Sequence, residues 1–164
     1  MVPVVGFAAW SGTGKTTLIE KLIPKLKDKG LRLAVIKHDA HGLKFDKEGK
    51  DSWRFSNAGS DVTVVNGPDQ SAIFVQRSLT LEETIAMITD VDLVLIEGYK
   101  TGQFDKVGIS RKETGKGFPD AIGSFKALVT DDPSAIEAEA TQPIFALDDV
   151  DALADWIEET YIRG

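Results

Sequence analysis

Cysteine is absent from this chain of 164 residues, and histidine occurs only as His38 and His41. Without thiols there are no disulfides, no thiolate metal ligands and no cysteine nucleophile, so imidazole chemistry falls to those two side chains alone. Positive charge is scarce as well. The formal net charge is −7, the opposite of the clustered Lys and Arg with which a protein displaces counterions from a nucleic-acid backbone, so no nucleic-acid partner is expected. An anionic ligand has to be captured locally. Apolar runs stay well short of the roughly 18 residues that span a bilayer, and the first carries no basic leader. The chain therefore reads as a soluble, cytoplasmic protein with no membrane partner. Its 42% apolar and 27% charged residues suit one globular domain over residues 1–164 with a real core.

Strand and helix patterns alternate along that domain. Val4 to Ala8 is a short, wholly apolar run, as expected of a strand covered on both faces. Lys15 to Lys29 places Leu18, Leu22 and Leu26 at helical spacing, with Gly30 suited to the end. Strands are expected within 31–39, 91–98, 106–110, 125–132 and 143–149, and a short helix within 50–59. Residues 61–77 read as two strands about an Asn-Gly-Pro-Asp turn, an antiparallel hairpin whose Val62, Val64, Ile73 and Val75 share one apolar face. Thr80 and Glu83 stand in capping-box register before another helix, and Asp148 or Asp149 caps a last one reaching about Tyr161. Such alternation predicts an α/β fold: a mostly parallel sheet with helices on both faces, plus the hairpin.

The turn after the first strand is the most informative stretch. Ala9-Trp10-Ser11-Gly12-Thr13-Gly14-Lys15-Thr16 fits the phosphate-binding pattern G-x-x-x-x-G-K-[ST], with Ala9 in place of the first glycine. Backbone N–H groups from Ser11 to Thr16 curl around a phosphate only if side chains stay clear, which accounts for Gly12 and Gly14. The following helix aims its positive end at the same anion, Lys15 supplies a mobile charge, and the Thr16 hydroxyl suits Mg²⁺. The predicted architecture is thus the three-layer sandwich of P-loop NTPases.

Acids at strand ends extend the candidate site, because open α/β sheets bind ligands at the carboxyl ends of their strands. Glu97, closing "DLVLIEG", is a candidate Mg²⁺ ligand or water-orienting group, and Gly98 lets backbone approach a terminal phosphate. Asp39 ends the second strand in the same way and is a further candidate metal acid. Asp131 and Asp132 end "LVTDD"; Asp131 is placed to accept from guanine N1–H and N2–H₂, or either acid caps the turn before Pro133. "KHDAHG" sets His38 and His41 beside the site as polar loop residues or as ligands. Five arginines are scattered along the chain and none lies in or next to the phosphate loop, so hydrolysis is expected to be slow, with Lys15 and Glu97 giving positioning and partial charge neutralisation.

Taken together, "WSGTGKTTLIEKLIPKLKDKGLRLAVIKHDAHG", "DKEGKDSWRFSNAGS" and "DLVLIEGYK" resemble the MobB family of molybdopterin-guanine dinucleotide biosynthesis adapters over nearly the whole chain. The resemblance implies a GTP-binding homodimer with weak GTPase activity. It implies that the protein assists a partner, the MobA guanylyltransferase, in joining a guanine nucleotide to molybdopterin. Carried over by motif, Gly12, Thr13, Gly14, Lys15, Thr16 and Thr17 hold the phosphates, and Glu97 with Gly98 forms the second nucleotide motif. Two other classes use the same loop. A small-molecule kinase is opposed by the lack of an Arg-rich lid, and a metallocentre-insertion GTPase by the missing cysteines.

Overall fold

A computed structural model describes residues 2–39, 42, 46–99 and 102–164; His41 and Lys100 lie outside this set. The chain forms two compact units, Met1–His38 with Ile88–Gly164, and Asp39–Met87.

In the first unit, six strands make one sheet: β1 (Val4–Ala8), β2 (Leu33–Lys37), β5 (Leu93–Glu97), β6 (Asp105–Ile109), β7 (Ala127–Thr130) and β8 (Ile144–Ala146). Their order is β2-β5-β1-β6-β7-β8, and every pairing is parallel. All carboxyl ends therefore share one edge of the sheet. Register aligns them: Glu97 pairs with Phe7 of β1 and Lys37 of β2, and Ala8 pairs with Gly108 of β6. The chain leaves β5 on one side of β1 and enters β6 on the other, which opens a crevice at the end of β1. Helices α1 (Lys15–Asp28) and α4 (Val150–Tyr161) bury Leu18, Leu22, Leu26, Leu153 and Ile157 against Val5, Phe7, Leu95, Val107 and Val129 of the sheet. Asp149 caps α4, its carboxylate accepting from the Ala152 N–H at 3.2 Å. Six-stranded parallel sheet and separate hairpin match the predicted α/β class.

The second unit holds α2 (Asp51–Asn57), the antiparallel pair β3 (Val62–Asn66) and β4 (Ser71–Val75), and α3 (Leu81–Ala86). The Thr80–Glu83 capping box is present: the Glu83 N–H donates to Thr80 Oγ1 at 3.1 Å, and the Thr80 N–H donates to the Glu83 carboxylate at 2.8 Å. Ser56 of α2 and Thr63 of β3 join hydroxyls at 3.1 Å. The opposite hairpin face, with Val62 paired to Val75 and Val64 to Ile73, leaves Val62, Val64 and Ile73 exposed. Among the described residues no helix is long and apolar enough to cross a membrane.

Candidate phosphate-binding site

Between β1 and α1 the chain turns through Gly12 and Gly14, at φ 84° and 94°. L side chains rarely adopt that left-handed region, so glycine at these two positions is dictated by backbone shape. Ala9 is buried and needs no such freedom, since Asp90 is the one non-glycine with positive φ among the described residues. The departure from glycine at position 9 leaves the loop path intact. Gly14 opens α1 without a side-chain cap, and the first turn holds no acid. The N–H groups at that end thus carry no side-chain cap, and an uncapped helix start of this kind suits an anion.

The β5 side of the loop carries the acidic corner. Thr16 Oγ1 donates to Glu97 Oε1 at 2.9 Å, and Lys15 Nζ stands 3.9 Å from the same oxygen. Glu97 is nearly buried, its carbonyl accepts from the His38 N–H at 2.9 Å, and sheet register fixes its height. Gly98 has φ 100°, and a Cβ there would lie 2.9 Å from the His38 carbonyl oxygen, so only glycine lets the chain pass beside β2. The His38 ring packs on Tyr99 with centroids 4.7 Å apart. Phe7, Ala9, Lys15, Gly98 and Tyr99 line a narrow cleft of about 30 Å³.

On the β6 side the structure corrects one expectation. No arginine neighbours the loop in sequence, yet the Arg111 guanidinium lies against it: a Cβ on Gly14 would stand 3.1 Å from Arg111 Nη2 and 3.7 Å from Cζ. Arg111 follows β6 by two residues, so the strand-end rule that selects Glu97 and Asp131 also selects it. Its backbone is clamped. The Thr114 N–H and hydroxyl donate to the Arg111 carbonyl at 3.1 and 2.8 Å, and the Lys112 N–H donates to Asp131 Oδ1 at 2.7 Å. Lys112 Nζ pairs with Asp132 at 3.0 Å and holds that carboxyl below its usual range. One oxygen of Asp131 therefore orients the segment that carries Arg111. Beside it a cavity of about 160 Å³ is lined by Ser110, Arg111, Phe118, Thr130, Asp132 and Ile136.

Three buried side-chain polar atoms have no partner among the described residues, and two of them, Thr13 Oγ1 and Arg111 Nε, lie in this loop and against it. Buried polar groups are ordinarily satisfied, so both atoms have hydrogen-bonding capacity that the described residues do not use. Of the remaining candidates, Ser11, Thr16 and Thr17 are exposed at the loop and helix start, and Asp39 is exposed two residues past β2, in the second unit. His41 lies outside the described residues, which contain no cluster of three or more His, Asp or Glu side chains suited to a metal.

A family model described as molybdopterin guanine dinucleotide synthesis protein B matches residues 4–131. A molybdopterin-guanine dinucleotide biosynthesis adapter protein from Haemophilus influenzae is 35% identical over 161 residues, 96% of this chain and 88% of the relative. The crystal structure of MobB from Bacillus subtilis is similar at TM-score 0.76 and 30% identity, with 96% of each chain covered. HypB from Helicobacter pylori, solved in complex with nickel, shares the fold at TM-score 0.56 and 15% identity, over 99% of this chain and 88% of that one.

Proposed function

This chain belongs to the family of molybdopterin guanine dinucleotide synthesis protein B, the adapters of molybdopterin guanine dinucleotide biosynthesis, and from that premise we propose that it works by holding GTP with Mg²⁺ beside the guanylyltransferase MobA. The observation that carries this reading is the Thr16–Glu97 hydrogen bond at 2.9 Å with Lys15 beside the same carboxylate, at the uncapped start of α1. The loop N–H groups and Lys15 bind the phosphates, and Thr16 fixes the position of Glu97. Thr16 and Glu97 present hard oxygens, the donor type Mg²⁺ takes, and would hold the ion. When bound, Mg²⁺ supplies charge neutralisation across the outer phosphates.

Hydrolysis by the protein alone is weak in this reading. Positive charge on the departing phosphate comes from Lys15, and Arg111 follows β6, across β1 from the strand that carries Glu97. The output is delivery: guanine nucleotide and molybdopterin are kept where the partner enzyme uses them, a coupling that appears as differential affinity between partner and nucleotide states. The active form is a cytoplasmic homodimer, a second copy covering the exposed Val62, Val64 and Ile73 of the hairpin.

The test is a reconstituted guanylylation with limiting GTP, Mg²⁺ and molybdopterin. Added protein is expected to raise product formation, and Lys15→Ala to abolish the gain by weakening triphosphate binding about 100-fold through one lost charge-assisted contact. A melting temperature within a few degrees of native is expected for that variant, because Lys15 lies outside the core. Rapid stand-alone GTP turnover, or no gain on addition, overturns the adapter reading; a labelled γ-phosphate found on an acceptor replaces it with a kinase.

A further inference from the structure

Sheet order gives the loop two unlike flanks. From β5 through β1 to β6 and β7 the carboxyl edge presents, in turn, the Thr16–Glu97 corner, the loop itself, Arg111, and the cavity bordered by Thr130 and Asp132. Thr16 and Glu97 would hold Mg²⁺ on the β5 flank, where it would supply charge neutralisation to the outer phosphates of a nucleoside triphosphate. The β5 flank therefore faces the outer end of the phosphate chain, and the β6 flank faces its inner end. The Arg111 guanidinium rests on Gly14 at that inner flank, and its buried Nε has no partner among the described residues. Its carbonyl and the next N–H are fixed by Thr114 and Asp131. An arginine held rigid by its backbone, packed on a phosphate loop and left with an orphan donor is built to meet an anion in that loop, since the planar fork matches phosphate oxygens.

We propose that Arg111 is a nucleotide-binding residue that grips the inner phosphates, those shared by GTP and GDP, from the β6 side of the loop. The assignment rests on the phosphate-loop reading and adds a residue and a polarity to it. Arg111 closes the inner end of the site as Lys15, Thr16 and Glu97 close the outer end. It thereby secures the nucleotide whether or not the terminal phosphate is present, which suits a protein that retains its nucleotide more than one that consumes it.

Calorimetric titration of native protein and of Arg111→Gln with GTP and GDP tests this. Both affinities are expected to fall by the same factor, about 10- to 100-fold, the range for losing a hydrogen bond to a charged group. Arg111→Lys is expected to fall in between, keeping the charge and losing the fork. Unchanged affinities, or a loss for GTP with GDP unaffected, overturn the assignment. Should Arg111→Gln fail to fold, modification of native protein by an arginine-directed dicarbonyl reagent, mapped by mass spectrometry, decides: saturating GDP is expected to shield Arg111, and modification unaffected by GDP overturns the proposal. Native protein that binds neither GTP nor GDP defeats the phosphate-loop reading itself, whereas native binding matched by Arg111→Gln defeats the Arg111 assignment alone.

Discussion

In β5 the side chains of Leu93, Val94, Leu95 and Ile96 are 0 to 1% exposed, while in the hairpin of the second unit Val62, Val64 and Ile73 are 50, 53 and 56% exposed. Both segments are rich in β-branched and aliphatic residues, so composition does not separate them. Environment does. A strand inside a parallel sheet is covered on both faces, and its run of apolar residues reflects that. A two-stranded sheet is marginal by itself and depends on what packs against it. Here α2 meets the Thr63 side, and the Val62–Val64–Ile73 side remains open. The first unit buries its apolar surface in its own core, whereas the second leaves part of its apolar surface exposed.

The strongest test of this contrast compares two truncations. Leu95→Ala is expected to destabilise the protein by about 2 to 5 kcal/mol, the cost of a cavity in a filled core, whereas Val64→Ala should shift it by no more than about 0.5 kcal/mol. Urea denaturation at low protein concentration measures both, and equal losses would erase the distinction. A smaller effect on the fold but a clear one on assembly is expected from Val64→Asp combined with Ile73→Asp, which puts charge into the face assigned to a second copy. Light scattering at micromolar concentration should read a dimer mass for native protein and a monomer mass for the variant; a native monomer refutes the dimer. The mildest change probes the edge of the first unit. Asp131→Ala removes the acceptor of the Lys112 N–H, and through Arg111 it is expected to weaken GTP and ATP alike, by less than about tenfold, one neutral-to-charged hydrogen bond at most. A selective loss for GTP would instead mark Asp131 as a reader of guanine.

Much of the fold was legible because it is local. The run Val4–Ala8, the helical spacing of Leu18, Leu22 and Leu26, the Thr80–Glu83 pair and the Asp149 cap each depend on residues within a turn or two of one another. The phosphate loop was legible for the same reason, its glycine, lysine and threonine positions being consecutive. Glu97 could be nominated from its strand end, but its contact with Thr16 depends on β5 lying beside β1, which spacing does not reveal. Alternation along the hairpin marked Val62, Val64 and Ile73 as sharing a face, without saying whether that face is covered.

Arg111 shows most clearly where sequence stops. It lies far along the chain from Gly14, and proximity in sequence argued against any arginine at the loop. By itself the sequence determined the α/β class, the phosphate loop with its left-handed glycines, the capped helices and the hairpin, because short-range sterics and hydrogen bonding decide these within a few residues. Tertiary structure decided the strand order, the pairing of Glu97 with Thr16, the placing of Arg111 on Gly14 and the exposure of the hairpin face. Those depend on which strands become neighbours, and long-range packing of one shared core, not any local pattern, selects them.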